Sequence, residues 1–250
     1  MAQDTVLESI RTRLAQMQQQ KKKQNLTWRA PKDGESSIRI VPYKHAPDPF
    51  NELYFHYNLG DAGYVLCPKM TAAFGEACPF CEYTDALLKG EKTEDKLAIY
   101  KKIKSKARFY VPIIVRGKEA DGIRFWGISK KTLDYIAKLF LSPDYGDLSD
   151  PHAGRDLKVT VPAPSQDNIY GQPVVLPAGS PSSLSQDSAQ AAKWIKECPS
   201  VFEAFQKKSY EELKQVLTTF VKSAPAPQKQ NGSGSEEVES VDDFVKNLGQ

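Results

Sequence analysis

Four candidate metal ligands within one short stretch constrain the fold more than any other feature of this 250-residue chain. They are one histidine and three of the four cysteines, namely His56, Cys67, Cys78 and Cys81. Two cysteines separated by two residues can offer both sulfur atoms to one ion from a single tight turn, as Zn²⁺ sites commonly require. The other two ligands lie upstream, close enough for the chain to fold back over this turn. The spacing therefore predicts one zinc ion held by a His-Cys-Cys-Cys set.

Other interpretations of this stretch use overlapping residues. Cys78 and Cys81 are also compatible with a redox pair or with two small buried residues. His45 is an alternative nitrogen ligand, but it lies among turn residues, whereas His56 lies in a predicted strand. Cys198 is distant in sequence, and we interpret it as an ordinary buried thiol. Because four protein ligands leave no open position for water, we expect the zinc ion to be structural and the protein not to be an enzyme.

The composition predicts a soluble protein with a substantial core. An apolar content of 40% is typical of a globular chain of this length. No apolar run approaches the roughly 20 residues that a membrane-spanning helix needs. Few cysteines, most of them expected on a metal, suit a reducing compartment where disulfides are rare. We therefore predict a cytoplasmic location and no membrane partner.

The charge is unevenly distributed and divides the chain into three predicted segments. The net charge is +3, and residues 224–250 carry five acids and two lysines, a net of −3, so the preceding residues carry +6. Residues 1–24 read as a basic, amphipathic arm for contact between protomers. Residues 25–222 form the predicted core, with a zinc subdomain at about 50–95. Residues 223–250 read as a flexible linker and an acidic tail suited to protein partners, although an inert solubilising tail fits the composition equally.

A second informative stretch combines cations with aromatic residues at 100–116, YKKIKSKARFYVPIIVR. Single-stranded nucleic acid needs both, because phosphates attract cations and unstacked bases lie on aromatic rings. The alternative is a basic loop before an ordinary core strand, and one of Phe109 and Tyr110 is expected to point inward. A strand at 123–128 is the predicted hairpin partner across 117–122. The candidate contacts from this region are Lys101, Lys102, Lys104, Lys106, Arg108, Phe109, Tyr110, Arg124 and Trp126.

Alternating strands interrupted by few helices predict a mainly β protein with flanking helices. Strands are expected at 36–43, 52–57, 109–115, 123–128, 156–162 and 169–176. Helices are expected within 4–23, at 79–88, after a Ser129 cap, and within 186–222, where Ser209 and Glu212 match a capping box. Several short strands with one interposed helix suggest an OB-fold barrel, here with a zinc-stapled subdomain.

The order of these parts resembles the helix-destabilising single-stranded DNA-binding proteins of T-even-like bacteriophages, the gene 32 protein family. The resemblance covers most of the chain. It includes the N-terminal helix before the Ile38-Arg39-Ile40 strand, the His…Cys…Cys-Pro-x-Cys set, the stretch from Tyr100 to Val115, the Ser-Lys-Lys helix start at Ser129, and the acidic C-terminus. The metal set beside the basic and aromatic strand is the most specific part.

This resemblance implies an OB barrel and a zinc-stapled subdomain with a basic cleft between them. By matching position, His56, Cys67, Cys78 and Cys81 are the implied zinc ligands. The implied cleft residues are Tyr100, Lys104, Lys106, Phe109, Tyr110 and Trp126, with Lys130 and Lys131 as further phosphate contacts. The chain departs from the family at its first residues, which lack the Lys/Arg cluster followed by Ser/Thr that mediates cooperative binding. It also has Ser105 where the family has a central arginine.

We therefore predict a protein that coats and protects single-stranded DNA without sequence specificity during DNA replication, recombination and repair. The implied partners are single-stranded DNA, further copies of the chain along that DNA, and replication or recombination proteins that bind the acidic tail. A phage-encoded protein would act in the bacterial host cytoplasm. The alternatives are a zinc-dependent nucleic-acid-processing enzyme, an RNA-binding protein, and a transcription factor or scaffold with a zinc knuckle.

Overall fold

The computed structural model describes residues 26–32, 34–89, 93–163 and 172–223, together with Glu8, Arg11, Arg13 and Leu14. The chain divides into two compact units. The first unit comprises Met1–Asn51 and Phe109–Phe205, and the second comprises Glu52–Arg108 and Gln206–Gln250. The predicted linker and tail lie outside the described residues, as does most of the predicted N-terminal helix.

The described residues form eight strands and five α-helices, which confirms the predicted mainly β class with helices. The strands are β1 (Thr27–Trp28), β2 (Glu35–Ile40), β3 (Asn51–Tyr57), β4 (Tyr64–Leu66), β5 (Lys106–Val115), β6 (Arg124–Ile128), β7 (Leu157–Thr160) and β8 (Val174–Pro177). The helices are α1 (Pro79–Leu87), α2 (Glu94–Ile103), α3 (Lys130–Leu141), α4 (Ser188–Glu197) and α5 (Tyr210–Ser223).

The first unit is built on a sheet with the strand order β1-β6-β5-β2-β7-β8. Strands β5 and β6 form the predicted antiparallel hairpin, with Val111 opposite Trp126. Gly117 and Gly122 lie at the two ends of the connection and have φ angles of +79° and +70°, which residues with a Cβ rarely adopt. The hairpin therefore depends on glycine at both ends of its turn.

Apolar side chains of the sheet and of α3 form the core of the first unit. Ile38 and Ile40 of β2 lie beside Val115 and Ile113 of β5 and are fully buried. Helix α3 begins at the predicted Ser129 cap, whose hydroxyl accepts a hydrogen bond of 3.2 Å from the Thr132 amide. Ile136 and Leu139 then bury one face of the helix in the same cluster. The alternating pattern of β2 thus predicted the burial of Ile38 and Ile40, but Arg39 between them is fully buried as well, so this end of the strand is covered on both faces.

The second unit combines the β3–β4 hairpin with helices α1, α2 and α5. His56 of β3 lies opposite Val65 of β4. Helix α5 begins with the predicted capping box, in which the Ser209 amide donates to Glu212 Oε2 at 2.7 Å and the Glu212 amide donates to Ser209 Oγ at 3.3 Å. The buried residues of this unit form a separate cluster that includes Cys67, Cys78 and Cys81.

Helix α2 was not predicted from the sequence. Thr93 caps it by accepting a hydrogen bond of 3.3 Å from the Lys96 amide. Glu94 and Asp95 lie in its first turn and Lys101 and Lys102 in its last, an arrangement that favours the helix dipole at both ends. Tyr100, Lys101 and Lys102 therefore lie on a helix and do not continue the strand that follows.

A closed OB barrel is not shown. The strand path ends at β1 and β8, and no pairing among the described residues joins these two strands. Both are short, with two and four residues, and provide few backbone groups for closure. Within the described part of the chain, no helix has the length and apolar composition needed to span a membrane.

Candidate metal centre and nucleic-acid interface

The four predicted metal ligands come together in the second unit. One ligand atom from each of His56, Cys67, Cys78 and Cys81 lies within 4.8 Å of the others, and all four residues are buried. Among the described residues, this is the one group of at least three histidine, cysteine or acidic side chains with metal-binding geometry. The structure therefore confirms the predicted clustering and supports a metal centre.

The distances match the edges of a tetrahedron around zinc. Zn–S bonds of about 2.3 Å and Zn–N bonds of about 2.0 Å give edges of roughly 3.8 Å between sulfurs and roughly 3.5 Å between sulfur and nitrogen. Cys67 Sγ and Cys81 Sγ are 3.5 Å apart. His56 Nε2 lies 3.4 Å from Cys78 Sγ and 3.7 Å from Cys81 Sγ. The three thiols and the imidazole therefore fit one zinc ion.

Local backbone structure explains how each cysteine reaches the centre. Cys78 is the N-cap of α1, Pro79 opens the helix with its fixed φ, and Cys81 lies in the first turn. The positive end of a helix dipole stabilises thiolates at these positions. Cys67 follows β4, and its sulfur accepts a hydrogen bond of 3.4 Å from the Met70 amide. Two separate pieces of chain thus supply the sulfur ligands.

The His56 ring is held by contacts on the side away from the cysteines. Its Nδ1 lies 2.7 Å from the Ile103 carbonyl oxygen, which can only accept, so Nδ1 carries the proton and donates. Nε2 is then the basic nitrogen and faces the sulfur atoms, as a metal ligand requires. The ring also stacks on Phe80 with centroids 5.0 Å apart. The imidazole is therefore oriented for metal binding.

The pKa values in the cluster reflect protons shared between close groups. Burial lowers the pKa of His56, but hydrogen bonds and the charge of Cys67 and Cys78 outweigh it and raise the pKa to about 9. Hydrogen bonds from Cys78 and Cys81 lower the pKa of Cys67, whereas hydrogen bonds to Cys67 and Cys78 raise the pKa of Cys81. A bound cation would replace these shared protons.

The alternative histidine lies elsewhere. His45 belongs to the first unit, where its Nε2 lies 2.9 Å from the Cys198 carbonyl oxygen. Cys198 is buried, and burial raises its pKa to about 11, as expected for an inert thiol. Neither residue belongs to the candidate metal cluster.

The second unit also carries the basic part of the predicted nucleic-acid interface. Five cations occur between positions 101 and 108 without an acidic residue, and all five are exposed. No salt bridge joins any of them to another described residue. Lys104 Nζ lies 5.4 Å from the centre of the Tyr100 ring, and Lys102 Nζ lies 5.4 Å from that of Phe220. These cations are Lys101, Lys102, Lys104, Lys106 and Arg108.

The first unit carries the remaining predicted contacts, and they differ in accessibility. Phe109 and Tyr110 are half-buried, and the Tyr110 ring packs on Phe205 with centroids 4.6 Å apart. A Cβ on Gly127 would come within 3.0 Å of the Tyr110 ring, so glycine leaves space for this ring. Trp126 is only 3% exposed and packs edge-on against Trp28. In this conformation the Trp126 ring has no open face for a base.

Three further cations of the first unit were predicted as contacts. Arg124 forms a salt bridge of 3.0 Å with Asp121, which already neutralises its charge. Lys130 and Lys131 are exposed in the first turn of α3, which contains no acidic residue. Cations are electrostatically unfavourable at a helix N-terminus, and a phosphate group there would be favourable. Contact of all these residues with nucleic acid stays a prediction.

Sequence reasoning missed two groups that hold the basic segment. One is the Ile103 carbonyl, which accepts a hydrogen bond from His56 Nδ1, and the other is Asn58, whose side-chain amide lies 3.4 Å from the Lys102 carbonyl. Asn58 has a φ angle of +63°, and asparagine is among the few residues that tolerate this conformation. The asparagine immediately after an aromatic strand was the available signal.

Comparison with known proteins assigns the family. The family model described as gp32 DNA binding protein like matches residues 32–222, well over half of the chain. No match was found for this chain among curated proteins. The matched residues contain the complete cysteine and histidine cluster and all the predicted nucleic-acid contacts. The chain therefore belongs to the family of gp32-like DNA-binding proteins.

Proposed function

We propose that this protein binds single-stranded DNA without sequence specificity and coats it during DNA replication, recombination and repair. The observation that carries the proposal is the run of five exposed cations between Lys101 and Arg108, none in a salt bridge with another described residue, in a chain of a DNA-binding family. A density of charge this high, with no acidic residue between positions 101 and 108, costs electrostatic energy that phosphate groups relieve. The aromatic residues next to these cations in the sequence, Tyr100, Phe109 and Tyr110, add stacking to the attraction between cations and phosphates.

The proposed mechanism combines charge neutralisation with stacking. Lysine and arginine side chains replace condensed counterions on the DNA, so affinity falls steeply as salt concentration rises. Tyr100, Phe109 and Tyr110 are each half-buried, which leaves part of each ring for contact with unstacked bases. Stacking of this kind contributes about 1–3 kcal/mol per base and depends little on base identity. Binding to single strands alone then favours duplex melting by mass action.

We propose that the metal centre holds one structural Zn²⁺. The three cysteines and His56 fill a tetrahedral coordination shell, so no position remains for the activated water of a hydrolytic enzyme. The zinc ion supplies a cross-link between the β3–β4 hairpin and α1, and the protein residues supply the DNA contacts. We further propose an OB type of barrel for the sheet of the first unit. Zinc-dependent turnover of a DNA substrate would favour an enzyme instead.

Two further parts of the proposal concern segments that lie mostly outside the described residues, and a third concerns location. Residues 1–24 mediate self-association along DNA, with Lys21–Lys23 as the cations that make this contact. The acidic tail within 223–250 binds replication or recombination proteins. If the protein is phage-encoded, it acts in the cytoplasm of the bacterial host.

The proposal is tested by binding of oligo-dT, oligo-U and duplex DNA of equal length across a series of salt concentrations. We expect oligo-dT to bind more tightly than duplex, with a slope of log K against log salt of about −0.7 for each phosphate contacted. Equal affinity for single strands and duplex would reject single-strand specificity. Tighter binding of oligo-U would make RNA the preferred ligand.

A further inference from the structure

The last turn of α2 leads directly into the basic segment and is held by two side chains from the end of β3. Helix C-termini expose backbone carbonyl groups without intrahelical partners. The Ile103 carbonyl accepts a hydrogen bond of 2.7 Å from His56 Nδ1, inside the core of the second unit. The Lys102 carbonyl accepts a hydrogen bond of 3.4 Å from the Asn58 side-chain amide at the surface. Side chains two positions apart thus cap consecutive carbonyls.

The same turn determines where the cations begin. Ile103 is fully buried, and Lys104, the C-cap of α2, has an extended ψ of 148° that starts the path into β5. The Lys104 amide still donates to the Tyr100 carbonyl, at 2.9 Å. A shift of the Ile103 carbonyl therefore moves Lys104 and the cations that follow it. The position of the basic segment depends on groups that carry no positive charge.

One of the two capping side chains is also a metal ligand. Rotation of the His56 ring about its Cβ–Cγ bond would remove both the Nδ1–H donor from Ile103 and Nε2 from the sulfur atoms. A metal bound through Nε2 prevents this rotation, because the ring must then present Nε2 to the centre. The hydrogen bond to Ile103 is therefore strongest when the metal is bound.

We propose that His56 and Asn58 are positioning residues that fix the basic segment 104–108 for DNA, so that metal binding and DNA affinity are coupled through the Ile103 carbonyl. This inference rests on the proposed single-stranded DNA binding. It assigns His56 a second task besides metal coordination. It also gives Asn58, which belongs neither to the candidate metal cluster nor to the predicted DNA contacts, a role in affinity.

The first test separates the two tasks of His56. The substitution His56→Cys offers zinc a complete set of four cysteines but removes the donor to Ile103. We expect one zinc per chain by metal analysis, oligo-dT binding weakened on the order of tenfold, and faster amide hydrogen exchange in residues 100–108 of the free protein. Wild-type affinity and exchange in a zinc-loaded H56C protein would overturn the proposal.

The second test leaves all four metal ligands in place and decides the matter if H56C does not fold. The substitution Asn58→Gly keeps the positive φ and removes the amide side chain. We expect full zinc content, about fivefold weaker oligo-dT binding and faster exchange in 100–108. Thr93→Ala is the matched control, because it removes a cap at the other end of α2, and its oligo-dT affinity should stay within about twofold.

These outcomes distinguish the positioning role from the proposed function. Wild-type affinity and exchange in N58G, or equal losses in N58G and T93A, would overturn the positioning role even if the wild-type protein prefers single strands. A wild-type protein without preference for single strands would instead reject the proposed function. Hydrogen exchange in the absence of DNA still measures whether His56 and Asn58 hold the segment.

Discussion

The two units of this protein have cores of different chemistry. The core of the first unit consists of aliphatic and aromatic side chains from a sheet and a helix, including Ile38, Val111 and Ile136. The core of the second unit contains three cysteines, with His56 buried beside them, among fewer apolar residues. The first resembles an ordinary sheet core, and the second is arranged around a candidate metal centre.

Because of this difference, the folding free energy of one unit is independent of a metal, whereas that of the other depends on one. Apolar burial contributes about 25 cal/mol per Å² and does not depend on a ligand. A metal centre contributes folding free energy only while the ion is bound. The basic segment 104–108 lies in the unit with the candidate metal centre. DNA affinity is therefore expected to follow the metal content even where the first unit stays folded.

Removal of zinc should give the largest difference between the units. Treatment with a strong chelator is expected to abolish amide protection in residues 54–87, because three thiols and an imidazole lose their common partner. Peptides from 111–115 and 124–128 should keep most of their protection, since their core contains no ligand. Hydrogen exchange followed by mass spectrometry measures both sets in one sample. Equal loss in both units would contradict separate sources of stability.

Single substitutions should reproduce this difference. Cys81→Ser removes one predicted ligand and is expected to abolish stoichiometric zinc binding. The increase in amide hydrogen exchange should be confined mainly to the second unit. Ile113→Ala is expected to reduce the free energy of unfolding of the first unit by about 2–5 kcal/mol without lowering the zinc content. Cys198→Ala serves as the thiol control, and it should retain zinc. Zinc analysis and urea unfolding check these outcomes; loss of zinc in I113A would argue against two independent cores.

Removal of a single cation from either unit should change DNA binding less than loss of the metal does. Removing one phosphate contact by Lys104→Ala or Lys106→Ala is expected to reduce the salt slope by about 0.7. Lys130→Ala and Lys131→Ala test the first unit in the same way. Lys69→Ala is the control, because Lys69 is exposed in the second unit but pairs with Asp85 at 3.1 Å. A slope change in K69A as large as in K104A would show that general charge is responsible.

The smallest expected effect concerns the thiol of the first unit. Burial raises the pKa of Cys198 to about 11, so at pH 8 its reactive thiolate is on the order of one part in a thousand. We expect aromatic disulfide reagents to modify it about 100-fold more slowly than an unfolded cysteine. Above the ordinary pKa of a cysteine, the unfolded chain loses the proton of this thiol while the folded chain keeps it. The free energy of unfolding should therefore fall as pH rises toward 11. Rapid modification of native Cys198 at pH 8 would contradict its burial.

The metal centre could be predicted from the sequence, whereas the shape of the interface could not. Cysteine spacing constrains where the sulfur atoms can lie, and the four residues predicted as ligands do lie together as a candidate metal centre. Alternation along β6 did not predict the burial of Trp126, because both faces of this strand are covered, by Tyr43 beside Phe125 and by Trp28 beside Trp126. The residues that cover this strand, Trp28 and Tyr43, are distant from it in sequence, so its local pattern does not show that they pack there.

Helix α2 has helix-start signals in its sequence, but a second pattern in the same stretch indicated a different structure. Its cap at Thr93 and the acids Glu94 and Asp95 are typical of a helix start. The cations after Tyr100 match a nucleic-acid-binding pattern, which favours a loop that leads into the following strand. The capping of this helix by His56 and Asn58 depends on tertiary contacts with β3, and no periodicity in the sequence predicts them.

The most direct test of the account is oligo-dT binding measured before chelation, after chelation, and after zinc is restored, with duplex DNA as the competitor. We predict tight, salt-dependent binding of oligo-dT by the zinc protein, a large loss of affinity in the metal-free protein, and recovery with one equivalent of zinc per chain. Binding that is unchanged by chelation, or equal for oligo-dT and duplex, would contradict it.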